Sequence, residues 1–405
     1  MTHIAHITIE DVASGLFRTQ VLAMAQAIAQ RDPSVRIDLH VINRPWCFRT
    51  HQRILAEYAR QLEGTRVRIR YTPALPPLRH ALRSAAYSRA VTWGLRAVLL
   101  PFCWSDADVL HSRSYWPAMA LHGLGLRNVV FDPRSLWVSE NISTGDLAAY
   151  SPAHHYWVRA ERECVEQAAA TTVVSAAMGD YYRDACGVGN ARVVPISFAP
   201  ETFRFLPEAR ARRRAELGWS DARVFVYSGS LGMSGVNISA LQSLFAATLA
   251  DPAARLLFLT TEPQSTIEES LATADNVRDC IRVVHPKASE MGQWLSASDI
   301  GVHALPKQLD WATRLGTKVV EYWACGLPVI VNEHVGAAAA YIRAEDVGRV
   351  VAQGSDATRF RAAADEAAAL DRGRIADFAL RTFATDVIAD RYLEVYRAVA
   401  TARTR

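Results

Sequence analysis

The chain has 405 residues, a hydrophobic fraction of 50% and a formal net charge of +4, which suits two ordinary globular domains with a buried core each. Six scattered cysteines lack any metal-ligand spacing, which argues against a structural zinc site and predicts a reducing, cytoplasmic location. The sequence has no apolar run of membrane-spanning length, and its start predicts a first strand rather than a secretory signal.

The first half alternates predicted strands with predicted helices. This order is typical of a doubly wound parallel sheet, so we expect a Rossmann-like domain over residues 1–198. Apolar runs predict its strands at Ile4–Ile9, Val35–Ile42, Arg66–Tyr71, Val109–His111, Val129–Phe131, Thr171–Val174 and Arg192–Ile196.

The turn after the first strand contains Ser14 and Gly15 and is followed by Arg18. Because glycine has no Cβ, Gly15 would let a ligand approach the backbone closely. Arg18 is the nearest cation and would meet a phosphate or an acceptor. An ordinary tight turn is the alternative interpretation of Gly15.

Polar residues follow two neighbouring predicted strands, at His111–Arg113 and at Asp132–Arg134. Ligands of open α/β sheets bind beyond the carboxyl ends of the strands, so both segments are candidate site residues. A structural ion pair remains the alternative for Asp132 and Arg134. The paired histidines His154 and His155 predict a loop.

Three prolines between Pro195 and Pro207 predict a linker, and an arginine-rich helix containing Arg210 and Arg214 follows it. We interpret that helix as a solvated face rather than a nucleic-acid site. The excess of basic residues lies in the first half, which would suit an anionic acceptor or a membrane surface. A general preference for arginine, with only three lysines in the chain, explains the same excess.

The second half predicts another nucleotide-binding type of domain, over residues 199–383, followed by a last helix at about 384–402. A glycine turn, Ser228 to Gly232, follows the first of its strands. The predicted strands are Val224–Tyr227 and residues 255–260, 281–284, 299–304 and 327–331.

The most informative segment runs from Thr313 to Ile330. Gly316 and Thr317 suit a helix start, with Thr317 as a cap, and Gly326 suits its end. Exposed amides at a helix start next to a glycine loop bind phosphate well. Glu321 is an acid on a largely apolar helix, where a ribose hydroxyl pair would satisfy its charge. A surface ion pair between Lys318 and Glu321 is the alternative.

This segment resembles the donor-binding signature of the family 4 glycosyltransferases, which have the GT-B fold. The resemblance implies two Rossmann-like domains facing across a cleft, with residues 384–405 crossing back to the first domain. Glu321 matches the second glutamate of the family's paired motif, which holds the donor ribose. The first glutamate, which touches the transferred sugar, falls on Thr313.

Two further stretches carry the resemblance. Gly229-Ser230-Leu231 matches a glycine turn of the family, but the family's phosphate-binding arginine falls on Ser230. Arg314 and Lys318 are the expected replacements, together with the helix amides at Gly316 and Thr317. The run from Asp132 to Glu140 is similar to a motif of a bacterial sub-branch, which implies that Asp132 and Arg134 face the reacting sugar.

The implied function is retaining transfer of a sugar from a UDP- or GDP-linked donor to a glycan, lipid-linked or natural-product acceptor, in bacterial envelope polysaccharide synthesis. The resemblance implies no metal and no cofactor beyond the donor, and we expect no nucleic-acid partner. The basic first domain would suit a peripheral contact at the inner face of a membrane. A sugar-nucleotide epimerase of the same fold and a noncatalytic sugar-nucleotide-binding subunit remain alternatives.

Overall fold

The protein is represented by a computed structural model that describes residues 2–44, 46–74, 82–229, 231, 238–271 and 279–403. The chain forms two compact units. One comprises Met1–Pro195 and Thr385–Arg405, and the other comprises Ile196–Ala384.

The first unit is built on a seven-stranded sheet with the order β3-β2-β1-β4-β5-β6-β7, and its neighbouring strands are parallel. All seven strands lie where the apolar runs predict them. They are β1 (Thr2–Thr8), β2 (Val35–Asn43), β3 (Val67–Pro73), β4 (Val109–Arg113), β5 (Val129–Asp132), β6 (Ala170–Val173) and β7 (Ala191–Val193). Five of these strands, β1, β2, β4, β5 and β6, are mostly buried, and buried parallel strands are rich in apolar residues, which is why the sequence locates them.

Helices connect these strands. They are α1 (Ala23–Arg31), α2 (Cys47–Gln61), α3 (Ala85–Leu99), α4 (Tyr115–Gly123), α5 (Trp137–Ser143), α6 (Pro152–Gln167) and α7 (Ala176–Cys186). A π-helical segment, Phe17–Leu22, precedes α1, and a 3-10 turn, Leu100–Trp104, extends α3. The histidines predicted as a loop lie instead in α6, because Ser151 accepts a hydrogen bond from the His154 amide (3.1 Å) and starts the helix there.

The second unit contains a six-stranded parallel sheet with the order β10-β9-β8-β11-β12-β13. Its strands are β8 (Arg223–Ser228), β9 (Ala254–Leu259), β10 (Ile281–Val284), β11 (Ile300–His303), β12 (Val329–Asn332) and β13 (Gly348–Val351). The last strand is not predicted from the sequence. The two parallel sheets confirm the predicted pair of Rossmann-like domains.

The second unit has nine α-helices among its described residues, besides a 3-10 turn, Ala288–Glu290, before α11. They are α8 (Pro207–Leu217), α9 (Ile238–Leu249), α10 (Gln264–Leu271), α11 (Met291–Ser296), α12 (Leu309–Thr313), α13 (Thr317–Ala324), α14 (Gly336–Glu345), α15 (Ala357–Ala368) and α16 (Arg372–Phe383). The last helix of the chain, α17 (Thr385–Arg403), belongs to the first unit and packs on α1. None of the helices in the described part of the chain is both long and apolar enough to cross a membrane.

The arginine-rich helix α8 is a solvated face only in part, since Arg212 is exposed but Arg214 is buried. Arg214 is 6% exposed, and its Nε donates to the Ala297 carbonyl oxygen at 2.8 Å. Both Arg210 and Arg214 also pair with the carboxylate of Asp299 at 2.5 Å. The predicted solvated face is therefore wrong for these two residues, because they tie α8 to the residues that precede β11.

Candidate functional site

The first candidate region lies at the carboxyl edge of the second unit's sheet. β11 pairs with β8 on one side and β12 on the other, and α13 enters at the same edge. The hydroxyl of Tyr322, on α13, accepts a hydrogen bond from the Ser228 amide at the end of β8 (2.7 Å). The position of α13 relative to β8 is therefore fixed by a buried contact.

The strand β11 accommodates that contact through Gly301. A Cβ at Gly301 would lie 2.3 Å from Tyr322 Cδ2, closer than real carbon atoms approach each other. The Tyr322 ring is fully buried and occupies the space that the missing side chain leaves. Gly301 is needed here for close packing rather than for an unusual backbone angle.

Lys318 lies in the gap between α13 and the turn after β8. Its Nζ donates to the Tyr227 hydroxyl at 2.9 Å and lies 4.1 Å from the centre of the Tyr227 ring. Gly229 has φ +111°, and a Cβ there would lie 3.2 Å from Lys318 Nζ. Burial lowers the pKa of Lys318 to about 8, although the negative charge of Glu321 acts to raise it.

Glu321 is half-buried one turn further along α13. Burial raises its pKa to about 7, with Lys318 acting in the opposite direction. Within the described residues its carboxylate has no hydrogen bond and no ion pair, and Lys318 contacts Tyr227 instead. The surface pair between Lys318 and Glu321 is therefore not formed, and the desolvated acid has neither a hydrogen bond nor an ion pair among the described residues.

The start of α13 differs from the sequence-based expectation. Gly316 is the N-cap, and no side chain caps the helix in the described structure. Thr317 is exposed as the first helical residue, so its predicted capping role is wrong. The amides of the first turn are consequently available to an anion.

Arg314 and Thr313 lie just before α13. The Arg314 guanidinium stacks over the Trp311 ring at 4.5 Å, and its Nη2 is 3.8 Å from a carboxylate oxygen of the buried Asp310. Thr313, at the position of the family's first glutamate, is 3% exposed and donates to the Asp310 carbonyl oxygen at 3.0 Å. Ser230 lies outside the described residues, so its predicted phosphate contact has no structural description.

His303 ends β11 beside this region and was not among the predicted site residues. A Cβ at Gly316 would lie 3.6 Å from His303 Nε2. Burial, with Lys318 as the second cause, lowers the pKa of His303 well below its usual range. The histidine is therefore neutral, and its buried Nδ1 has no hydrogen-bond partner in the described structure. A polar residue at a predicted strand end is the signal that could have identified it.

The second candidate region lies in the first unit, where Asp132 ends β5. Asp132 is 1% exposed and accepts hydrogen bonds from Thr172 at 2.9 Å and Tyr392 at 3.3 Å. Burial opposes its ionisation, but Arg134, His111 and Arg113 together hold the Asp132 pKa well below its usual range. Asp132 is thus a buried anion enclosed by donors.

Arg134 takes its position from those same neighbours. Its backbone has φ 63°, an uncommon conformation for a residue with a side chain. The guanidinium lies 3.5 Å from Asp132 and donates to the Tyr392 hydroxyl at 3.3 Å. Gln20, which the sequence did not single out, accepts from Arg113 at 3.0 Å and from Arg134 at 3.5 Å. The π-helical segment brings Gln20 to this cluster.

Gly15 and Arg18 lie at the surface of the same unit. Gly15 is in the first turn of the helix rather than in a tight turn, and a Cβ there would meet open space. Ser14 starts the helix by accepting a hydrogen bond from the Phe17 amide at 3.0 Å. Arg18 is exposed in the π-helical segment. Packing within the unit therefore does not require glycine at position 15.

No group of three or more histidine, cysteine or acidic side chains in the described ranges has the geometry of a metal site.

Two protein families match the chain, and the two matches together cover most of its length. The family "Glycosyl transferase 4-like domain" matches residues 17–199, and "Glycosyl transferases group 1" matches residues 222–369. The first match contains Asp132 and Arg134, and the second contains Arg314 to Glu321. No curated protein matches the sequence.

Several solved structures share the fold along the whole chain. Sucrose-phosphate synthase from Thermosynechococcus elongatus has a TM-score of 0.68 and 17% identity, with 99% of this chain and 100% of the other covered. The Anabaena protein HepE in complex with UDP and glucose has a TM-score of 0.65 and 14% identity, with 98% of this chain and 100% of HepE covered. WaaG, a glycosyltransferase involved in lipopolysaccharide biosynthesis, has a TM-score of 0.64 and 14% identity, with 97% of this chain and 99% of WaaG covered.

Proposed function

Because the chain belongs to the glycosyltransferases with the GT-B fold, we propose that it is a retaining enzyme of family 4. It transfers a sugar from a nucleotide-diphosphate-sugar donor to a hydroxyl of an acceptor. The bond between the anomeric carbon and the diphosphate oxygen breaks, and the acceptor oxygen bonds to the same face of that carbon. The acceptor proton passes to the leaving diphosphate.

The observation that carries this proposal is the Glu321 carboxylate. It is desolvated enough to have a pKa of about 7, and it has no hydrogen bond or ion pair in the described structure. A desolvated acid without a hydrogen-bond donor is costly, and two ribose hydroxyls would supply the donors. Lys318, one turn away, provides the cation that the diphosphate of the same ligand requires.

The diphosphate is held by Lys318, by the uncapped amides at Gly316 and Thr317, and by Arg314. Lys318 moves from the Tyr227 hydroxyl to a phosphate oxygen when the donor binds. The glycine turn at Gly229 leaves space beside Lys318 Nζ, where a larger residue would crowd it. Cationic groups and amides placed in this way stabilise the charge that develops on the leaving diphosphate, as a metal ion does in other enzymes.

In the first unit, Arg134 contacts the transferred sugar or the acceptor, and Asp132 acts through Arg134 rather than by direct contact. The burial of Asp132 supports this division of roles, since its oxygens are occupied by protein donors. Arg18 and the start of the first helix at Gly15 lie at the surface, where they are available to a phosphate or an acceptor.

We further propose a UDP- or GDP-linked hexose as the donor and a glycan or lipid-linked acceptor of the bacterial envelope. HepE is described with UDP and glucose, and WaaG is described as involved in lipopolysaccharide biosynthesis. These descriptions support the choice of ligand class for a first experiment.

The proposal is tested with a panel of UDP- and GDP-sugars, scored by thermal shift and by slow hydrolysis of the donor. We expect one nucleotide series to raise the melting temperature and one sugar within it to be hydrolysed. A chain that binds no nucleotide sugar would contradict the proposed donor site. Binding without hydrolysis or transfer would instead favour the noncatalytic nucleotide-binding subunit, which the buried threonine at position 313 makes the second candidate.

The diphosphate contact has its own test. We expect Arg314→Ala to lower affinity for the nucleoside diphosphate more than affinity for the nucleoside, in calorimetric titrations of both ligands. Equal losses for the two ligands would show that Arg314 acts through packing on Trp311 rather than on phosphate.

A further inference from the structure

The outward face of α3 is unusual because it is more apolar than the face that the helix buries. Ser88, Thr92, Leu95 and Leu99 point into the first unit. The opposite side of α3 and of the 3-10 turn that extends it is exposed and carries apolar side chains at helical spacing. These residues, which we call the α3 surface, are Tyr87, Ala90, Trp93, Ala97, Leu100 and Trp104.

The largest side chains of the α3 surface are held well out of the protein. Trp93 is 73% exposed and Trp104 is 78% exposed, while Tyr87 and Leu100 are each more than two-fifths exposed. Large exposed apolar side chains grouped on one helix face in this way are characteristic of a site of interaction with a protein or a membrane. Tryptophan is enriched at membrane–water interfaces, where its ring contacts lipid and its indole N–H contacts water.

Arginines lie along one side of the α3 surface. Arg89 and Arg96 lie on α3 itself, and Arg159 lies opposite them on α6. Together with Trp93 they line a cavity of about 490 Å³ between α3, α4 and α6. None of these three arginines has an acidic partner in the described part of the chain, although Glu163 also lines the cavity. The cavity therefore carries a net positive charge beside the exposed Trp93.

The inner wall of this cavity has polar atoms without partners. Gly123 on α4 allows the Arg96 guanidinium to lie against the helix, since a Cβ there would be 2.1 Å from Arg96 Nε. Arg96 Nε and both ring nitrogens of the buried His122 have no hydrogen-bond partner in the described structure. Burial, followed by the nearby Arg127, lowers the His122 pKa to about 4, so the ring is neutral at physiological pH.

We propose that the α3 surface docks on a membrane containing anionic lipid, with the Arg89–Arg96–Arg159 cavity receiving a lipid phosphate headgroup. The tryptophans and Leu100 enter the boundary between headgroups and acyl chains, as in helices that lie in the plane of a membrane. Charge complementarity favours this occupant over a second copy of the chain. A symmetric dimer on this face would bring two sets of unpaired arginines together.

This inference is independent of the sugar-transfer reaction, so it is tested by binding alone. The full chain is mixed with phosphatidylcholine vesicles, with or without phosphatidylglycerol, and the bound fraction is measured by flotation. We expect binding only to vesicles that contain the anionic lipid, weakened by added salt because surface charges are screened. Brominated lipids should quench the tryptophan fluorescence of the bound protein.

Two sets of variants separate the contributions. Trp93→Ser with Trp104→Ser should weaken binding of the protein to the vesicles at least about tenfold, because the apolar area of the two rings no longer enters the lipid. Arg89→Ala with Arg96→Ala should lower the affinity for anionic vesicles about fivefold for each arginine. This double variant should also lose most of the salt dependence of binding. The matched controls are Trp46→Ser with Tyr150→Ser, which removes two exposed aromatic rings elsewhere, and Arg53→Ala with Arg60→Ala on α2. The controls should bind as the unchanged protein does.

The proposal is overturned if the unchanged chain does not float with anionic vesicles, or if the tryptophan variant binds as well as its control at an unchanged melting temperature. A dimer in analytical ultracentrifugation that the Trp93 and Trp104 substitutions dissociate would assign the α3 surface to a second copy of this chain instead.

Discussion

At the scale of single residues, the site of the second unit is organised around two charges that the protein leaves incompletely paired. Glu321 and Lys318 lie one helical turn apart, yet the lysine contacts Tyr227 and the glutamate has no hydrogen bond or ion pair in the described structure. Burial disfavours both charges, so it raises the pKa of Glu321 to about 7 and lowers the pKa of Lys318 to about 8. Such opposed shifts in one place are characteristic of sites that bind charged ligands.

We expect Glu321→Ala to weaken nucleotide binding while leaving the fold intact. Loss of charge-assisted hydrogen bonds to ribose should cost about 1.5–3 kcal/mol, or roughly tenfold to a hundredfold in affinity, measured by calorimetry. The melting temperature of the free protein should not fall, because the variant removes a desolvated charge. Glu345→Ala, at an exposed position on α14, is the matched control. Unchanged affinity in Glu321→Ala would rule out the ribose contact.

The two pKa values also predict how affinity depends on pH. Ribose hydroxyls donate best to an ionised carboxylate, so donor affinity should rise as pH increases through about 7. It should fall again as pH increases through about 8, because Lys318 loses the charge that binds phosphate. The measurement uses a nucleotide sugar, whose diphosphate does not titrate near neutrality. Lys318→Arg should remove the alkaline decline, and Glu321→Gln should remove the rise; a profile unaltered by either variant would contradict these assignments.

At the scale of elements, the edge of the second sheet depends on the packing of α13 against β8 and β11. Gly301→Ala would drive the Tyr322 ring from its place and release the Ser228 amide from its hydroxyl acceptor. We expect this overpacking to cost about 1–3 kcal/mol and to increase hydrogen–deuterium exchange at Ser228. Tyr322→Phe should raise that exchange without the steric cost. Gly189→Ala, where a Cβ meets open space, is the control, and equal exchange in Gly301→Ala and the control would disprove the coupling.

The elements also show where sequence reasoning succeeds. Buried parallel strands are continuous apolar runs, so most strands and the helix carrying Glu321 were predictable from local pattern. The strand β13 was not, since Gly348-Arg-Val-Val351 is short and contains a charged residue. The roles of Arg214 and Gln20 were also hidden, because their partners, Asp299 and Arg113, are distant in sequence. The absence of any ion pair between Lys318 and Glu321 similarly depends on Tyr227.

At the scale of the whole molecule, the chain completes its first unit with its last helix. α17 contributes to the first unit's core and forms ion pairs with it, Arg31 with Asp390 at 2.7 Å and Arg397 with Asp32 at 2.8 Å. Tyr396 shares a hydrogen bond with His111 at 2.7 Å, and Tyr392 donates to Asp132. The last helix therefore supplies one of the donors that satisfy the buried anion at the end of β5.

We expect a chain that ends at Ala384 to lose the fold of its first unit while its second unit keeps its own. Removal of α17 exposes the apolar surface beside α1 and leaves the buried Asp132 without its Tyr392 donor, a loss that costs about 1–3 kcal/mol in comparable buried sites. Hydrogen–deuterium exchange should become fast in β1, β4 and β5 and stay slow in β8, β11 and β12. A peptide of residues 385–403 added in trans should restore protection, and Tyr392→Phe in the intact chain should loosen β5 alone. Undiminished protection of β4 and β5 in the shortened chain would show that the first unit does not need its last helix.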